Sequence, residues 1–177
     1  MRKLIESTLI SLDGVIESPD RWAPFDPESA ALAMEQLDNY DAFVMGRVTY
    51  ERLSANWADV VGNPYIDRIN AMPKHVASRT LRDPGWNATV LGPDVADALA
   101  RLKQQPGKDL VKYGTSRLDD LLLREHLVDE LRLWYMPVVV GAGQRLLEDV
   151  DTSWLDLRLT DERRLDNGSV MLSYAVG

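Results

Sequence analysis

Asp41-Ala42-Phe43-Val44-Met45-Gly46-Arg47-Val48-Thr49-Tyr50-Glu51 is the stretch on which the reading of this chain turns. Its first half is a short apolar run that predicts a buried strand. Gly46 then lets the backbone turn tightly into a helix whose first turn holds Arg47 and Thr49. A strand passing into a helix in this way makes an anion site. The unpaired N–H groups and positive dipole end of the helix face whatever lies over the carboxyl edge of the strand, Thr49 adds a hydroxyl donor, and Arg47 adds a fork suited to phosphate. On this segment alone an ordinary strand, turn and helix with a surface arginine stays open as the other reading.

Working outward, Lys3 to Ile10 mixes β-branched and aliphatic residues and predicts a first strand, which runs into the turn signal Ser11-Leu12-Asp13-Gly14. Val15 to Pro24 is rich in proline and charge yet holds Trp22 ahead of Phe25, so it predicts an ordered surface loop. Asp26-Pro27-Glu28 reads as a helix start, with a capping acid, a proline at the first helical position and a further acid in the first turn. Ala30, Ala33, Met34 and Leu37 then share one helical face. Beyond the opening stretch, its helix fades near Asn56-Trp57, and a second helical piece from about Tyr65 to Ala71 is stopped by Pro73. Lys74 to Ser78, Ala88 to Leu91 and Asp109 to Tyr113 read as strands. Between and after them lie a helix striped by Val95, Ala98, Leu99 and Leu102 and another marked by Leu118, Leu121 and Leu122. This alternation predicts an α/β fold in which a mostly parallel sheet carries helices on both faces. From Glu130 the character changes. Glu130 to Val140 reads as one long strand interrupted by Pro137, and Leu155 to Thr160 and Ser169 to Val176 as two more, with Asp166-Asn167-Gly168 as a hairpin-type turn. No helix separates them, so these C-terminal strands are expected to be antiparallel.

The 177 residues suit one domain, 1–177, with a sizeable core. Hydrophobic residues at 45% and charged residues at 27% exclude a disordered chain. The apolar runs are too short to cross a bilayer and Met1-Arg2-Lys3 leads straight into a strand pattern, so no membrane partner and a cytoplasmic protein are expected. With no cysteine there is neither a disulfide framework nor a thiolate site. A net charge of −8 argues against nucleic acid as partner while leaving room for a small anion in a local basic pocket.

Three predicted strand ends carry groups suited to anions: Gly46-Arg47-Val48-Thr49, Ser78-Arg79 and Tyr113-Gly114-Thr115-Ser116. In an open parallel sheet all three fall in the crevice beyond the carboxyl ends of the strands, where helix N-termini can share a pyrophosphate while two arginines take a further phosphate. Gly141-Ala142-Gly143-Gln144-Arg145-Leu146 is not a dinucleotide fingerprint, because Leu146 stands in place of the third small residue and no parallel unit follows; it reads as a flexible turn lining a pocket. His75 and His126 lack partners at metal-ligand spacing, and no serine sits in a nucleophile elbow. Asp13, Asp20, Asp26 and Glu28 are candidate proton donors, though each taken alone reads better as a turn former or a cap, Asp26 above all. Trp22 is a candidate aromatic wall for a flat heterocycle, or a residue that packs its loop onto the core.

Ser11 to Gly14 after the first strand, Asp41 to Glu51, Ser78-Arg79, Gly114-Thr115, and Leu127 to Leu131 followed by Pro137 to Gly143 together resemble the dihydrofolate-reductase-like family. The branch matched is that of the C-terminal reductase domain of the bifunctional riboflavin-biosynthesis protein. The resemblance implies a three-layer α/β/α fold around a sheet of about eight strands. It also implies NADPH bound across the strand ends and hydride transfer to a nitrogen heterocycle, a pterin or a ribitylaminopyrimidine-like compound, with a non-catalytic NADPH-binding or sensing module as the alternative. On that footing Gly46, Arg47 and Thr49 look like the cofactor-phosphate segment, and Ser78 and Arg79 like the 2′-phosphate pocket. Gly114, Thr115 and Ser116 resemble the turn under the pyrophosphate, and Leu12 to Gly14 the loop that closes over nicotinamide. Asp13 and Asp26 are the catalytic candidates and Trp22 the substrate-binding one. Counting back from Gly46 puts Ala30 near the place where dihydrofolate reductases carry their acid. The resemblance further implies a homodimer.

Overall fold

The computed structural model describes residues 1–177. Its strands are β1 (Leu4–Ser11), β2 (Tyr40–Gly46), β3 (Lys74–Ala77), β4 (Ala88–Val90), β5 (Asp109–Tyr113), β6 (Glu130–Met136), β7 (Leu157–Arg164) and β8 (Val170–Val176). Its helices are α1 (Pro27–Leu37), α2 (Arg47–Trp57), α3 (Pro64–Ala71), α4 (Val95–Gln104) and α5 (Leu118–Arg124). The strands form one eight-stranded sheet in the order β4-β3-β2-β5-β1-β6-β8-β7. Contacts among the first six strands are all parallel, while β8 runs antiparallel to β6 and to β7, as expected for this end of the chain.

Alternation along the central strands decides the layers. Leu4, Ala42, Val44 and Leu110 face one side and pack with Leu99 and Leu102 of α4 and Leu122 of α5. One residue on in each strand, Ile5, Phe43, Met45 and Val111 face the other side and pack with Leu37 of α1, Tyr50 of α2 and Ile69 of α3. The result is the three-layer α/β/α arrangement of the dihydrofolate-reductase-like fold. The chain passes from β1 outward to β4, returns to lay β5 between β2 and β1, then places β6 on the far side of β1. That reversal opens the crevice at the carboxyl ends of β1 and β5 in which such sheets bind ligands.

Helix α1 starts as its sequence signal demands, with Asp26 Oδ1 accepting from Ser29 N at 2.8 Å. Asn63 caps α3 in the same manner, accepting from Tyr65 N at 3.1 Å and Ile66 N at 3.2 Å. Gly46 at the start of α2 offers no side chain, so the first-turn N–H groups of that helix have no protein cap. Its φ of −77° is ordinary extended backbone, and a Cβ there would meet nothing within 4 Å. The tight turn expected of this glycine is therefore not what it supplies. It supplies an open, uncapped helix end.

Strand β6 stops at Met136 instead of running to Val140, because Pro137 has no N–H to continue the ladder. The next strand runs from Leu157 to Arg164, a shift from the expected Leu155 to Thr160. All eight residues of this edge strand are exposed, and its outer half carries Asp161, Glu162, Arg163 and Arg164, which blunt the open edge. No helix is long and apolar enough to cross a membrane.

Candidate active site

A groove of 610 Å³ lies over the carboxyl ends of β2 and β3. Gly46, Arg47 and Thr49 line it from the β2–α2 junction, and Ala77, in register with Gly46, lines it from β3. Ser116 and Arg117 face them from the turn after β5, and Gly143 and Gln144 close a further side. Arg47 is exposed and donates to both carboxylate oxygens of Glu51, one helical turn on, at 2.9 and 3.0 Å. An anion entering the groove would meet this guanidinium and the uncapped start of α2 together.

The turn at Gly114 to Ser116 is held from beneath. Gly114 adopts φ +69°, a left-handed conformation that glycine takes without strain. Lys112, 1% exposed, donates to the Gly114 carbonyl and sits 2.8 Å from Asp119 Oδ1 and 3.6 Å from Glu6 Oε2. Asp119 in turn accepts from Ser116 N. Burial drives the Glu6 carboxyl well above its ordinary range; the Lys112 ammonium opposes this and the Asp119 carboxylate adds to it. With Ser116 N committed to Asp119, the turn presents the N–H groups of Thr115 and Arg117, neither of which has a protein partner. The Thr115 hydroxyl oxygen is buried and likewise unpartnered. An orphaned buried hydroxyl beside free amides fits the oxygens of a phosphate group.

The groove opens into a cavity of 1130 Å³ between the sheet and helices α1 to α3, with Val48, Thr49, Ser116 and Gln144 lining both. Ala30, Ala33 and Met34 of α1 and Leu53 and Trp57 of α2 make its apolar sides. Trp134, 5% exposed and tilted against Phe25 with ring centroids 5.6 Å apart, forms an aromatic wall whose buried indole nitrogen has no partner. Gln36, Tyr40, Tyr65 and Tyr113 make the floor; the Tyr65 and Tyr113 hydroxyls lie 2.8 Å apart, and from outside the lining Arg132 donates to Gln36 Oε1, Tyr40 Oη and Glu130 Oε1. The walls suit a flat ring and the floor offers hydrogen-bonding groups to its edge.

The expected residues are distributed unevenly around this space. Gly46, Arg47, Thr49 and Ser116 line the groove, and Gly114 and Thr115 line the cavity beside it. Ser78 and Arg79 follow Ala77 at the same sheet edge, but the Ser78 hydroxyl accepts from Thr80 N and Leu81 N and Arg79 points into solvent. Leu12 is 61% exposed, and Gly14, at φ +87°, lies at the turn after β1. The two acids placed as catalytic are committed to other work. The Asp13 carboxylate takes the Ser11 hydroxyl at 2.7 Å, Val140 N at 3.0 Å and Gly141 N at 2.8 Å, which hold it down to about 2 and make it a fastening between two loops. Asp26 is the α1 cap, its carboxyl lowered by Ser29 N and the Ser29 hydroxyl. Neither lines the cavity, so neither is poised to protonate a ligand there. Trp22 is corrected similarly: its indole donates to the Glu17 carbonyl at 2.7 Å and its ring packs against the Leu32–Trp134 cluster. Trp134 takes the place expected of Trp22, and the cavity also takes in Tyr40 and Tyr65, which carry no sequence signal as site residues, and Tyr113 from the head of the anion-suited Tyr113-Gly114-Thr115-Ser116 segment.

A protein-family model described as the RibD C-terminal domain matches residues 2–171. The uncharacterized protein YyaP of Bacillus subtilis (strain 168) is 28% identical over 181 residues, covering 98% of this chain and 94% of its own. A pyrimidine reductase-like protein from Corynebacterium diphtheriae superposes with a TM-score of 0.69 at 16% identity, covering 99% of this chain and 92% of its own. Dihydrofolate reductase from Enterococcus faecalis, complexed with NADP(H), gives a TM-score of 0.67 at 17% identity, with 99% and 96% covered. A match spanning nearly every residue from β1 to β8, on a sheet of the order shown above, means that this chain belongs to the RibD C-terminal domain family.

Proposed function

We propose that this protein is an NADPH-dependent oxidoreductase that reduces a flat nitrogen heterocycle. The observation that carries the reading is the union of two unlike spaces. A groove with an uncapped helix end and Arg47 opens directly into an aromatic cavity that holds the orphaned Thr115 hydroxyl. When bound, the dihydronicotinamide supplies a hydride. Gly46, Arg47 and Thr49 would hold one phosphate of the nucleotide, Gly114, Thr115 and Ser116 the pyrophosphate, Ser78 and Arg79 the adenosine 2′-phosphate at the sheet edge, and Leu12 and Gly14 a wall beside the ring. The cavity orients the acceptor between Trp134 and α1 and keeps water away from it. Family membership and the shape of the cavity support this acceptor class. A Thermotoga maritima relative in fold, of which this chain covers 57%, is a 5-amino-6-(5-phosphoribosylamino)uracil reductase joined to a deaminase. A pterin or a ribitylaminopyrimidine of riboflavin biosynthesis fits the same ring-shaped space. A homodimer belongs to the proposal and is read by size-exclusion chromatography.

The test has two arms. Titration with NADPH and NADH should show a preference for NADPH, and Arg47→Ala should weaken NADPH roughly tenfold, the worth of one charge-assisted hydrogen bond. NADPH oxidation should then be followed with dihydrobiopterin, riboflavin and 5-amino-6-(5-phosphoribosylamino)uracil. Equal affinity for the two nucleotides, or binding with no turnover of any acceptor, refutes the reductase reading; the second result favours a binding module.

A further inference from the structure

The cavity floor holds two phenols in contact. Tyr65 reaches it from α3 and Tyr113 from the end of β5, and their hydroxyls are 2.8 Å apart. Both rings are fixed by aromatic neighbours: Trp57 meets Tyr65 edge-on at 6.4 Å between centroids, and Phe43 meets Tyr113 edge-on at 4.9 Å. Two hydroxyls carry two protons and share one hydrogen bond. No carbonyl or side chain of the protein accepts the second proton, so it is offered to the cavity. Tyr113 immediately precedes Gly114, which places the pair where the cavity meets the nucleotide groove.

No carboxylate competes at this depth. Asp13 and Asp26 are engaged as described, Glu17 Oε2 accepts from Gln144 N at 3.1 Å at the mouth, and Asp20 lies on an exposed turn there. We infer that the Tyr65–Tyr113 hydroxyl pair is the proton source for the hydride acceptor, an inference that rests on the reductase reading above. As hydride arrives at the carbon of an acceptor C=N bond, the π electrons pass to nitrogen, and nitrogen takes the outward phenolic proton. An N–H bond forms as the O–H bond breaks, and the nicotinamide is left oxidised. The phenolate is held by the hydrogen bond from its partner and regains its proton from water after product leaves. Burial pushes Tyr65 up to about 12, offset in part by its hydrogen bond to Tyr113, and pushes Tyr113 well above its ordinary value. Around them stand Tyr40 of β2 and Arg132 of β6, with Glu130 behind the arginine. The pair thus remains protonated, a loaded donor, through the physiological range.

The experiment compares wild type with Tyr65→Phe, Tyr113→Phe, the double variant and Asp20→Asn, using whichever of dihydrobiopterin, riboflavin and the aminouracil the wild type turns over. Each single variant keeps one hydroxyl and should lose about tenfold in kcat, while the double variant should lose roughly a hundredfold or more with NADPH affinity unchanged. Wild-type kcat should be flat from about pH 6 to 9. That of the double variant should fall about tenfold per pH unit, since its proton must come from solvent. Without nucleotide, quenching of protein fluorescence by the same acceptor should show about fivefold weaker binding to the double variant, the loss of one hydrogen bond. A double variant with wild-type kcat and pH profile, or a loss confined to Asp20→Asn, overturns the inference and leaves the reductase intact. No turnover by the wild type overturns both.

Discussion

Replacing Lys112 by methionine tests how the Gly114 to Ser116 turn is held. The ammonium touches Glu6, Asp119 and the Gly114 carbonyl in a space with no exposed side chain among the three ionisable partners. Removing one member of a buried ion pair typically costs about 3–5 kcal/mol, because the charge left behind has no solvent to turn to. Here the lower end applies. Glu6, raised by burial, leaves little negative charge to strand, and Asp119 retains the Ser116 N–H. A loss of about 3 kcal/mol corresponds to a Tm lowered by roughly 6–12 °C in a domain of this size. Urea unfolding followed by circular dichroism gives the free energy, and nucleotide titration of the folded variant should show NADPH binding weakened as the turn loosens. Lys112→Met/Asp119→Leu should recover part of the stability, since an apolar core tolerates loss of the whole ion pair better than loss of half, but should not recover NADPH binding. A Lys112→Met protein that melts within about 1 °C of wild type would refute the reasoning, because so small a change is far below the cost of an isolated buried charge.

Glu6→Gln gives a pH-dependent outcome. The folded chain keeps the Glu6 proton that the unfolded chain releases above about pH 4.5, so wild-type stability falls as pH rises from there until the folded carboxyl itself titrates. Glutamine removes that fall: urea melts should match near pH 4 and favour the variant by pH 7.5, and a variant no more stable at pH 7.5 would mean an ionised Glu6. Asp26→Ala should cost about 1 kcal/mol of stability, the usual loss of a helix cap, with turnover retained; loss of kcat without loss of Tm would restore Asp26 as the acid.

The parts legible in the sequence were those whose cause is local. An apolar run ending in Gly46-Arg47 shows strand and helix start within a few residues, and Asp26-Pro27 shows its helix because the cap is made three residues away. The cavity was illegible for the opposite reason. Tyr40, Tyr65, Tyr113 and Trp134 come from four elements, and each alone looks like an aromatic residue packing a core. Lys112 alternates correctly for a strand, and nothing nearby in sequence announces Glu6. The aspartates misled because a carboxylate beside a glycine turn is equally suited to binding backbone N–H groups, and only tertiary structure brings Val140 and Gly141 to Asp13. Gly46 showed where the helix begins but not why a glycine stands there.

The turn after β1 and the segment after β6 are stitched together far more closely than two neighbouring loops need be. Besides Asp13 on Val140 and Gly141, Ile16 N donates to the Gln144 carbonyl, Leu146 N to the Gly14 carbonyl and Leu12 N to the Val138 carbonyl, and Val15 bridges Arg145. A flap built on this turn would therefore have to carry Gly143 and Gln144 with it or break five hydrogen bonds at once, three of them backbone to backbone and two to the Asp13 carboxylate. In this protein Leu12 to Gly14 behave as masonry, and traffic into the site must pass by another door.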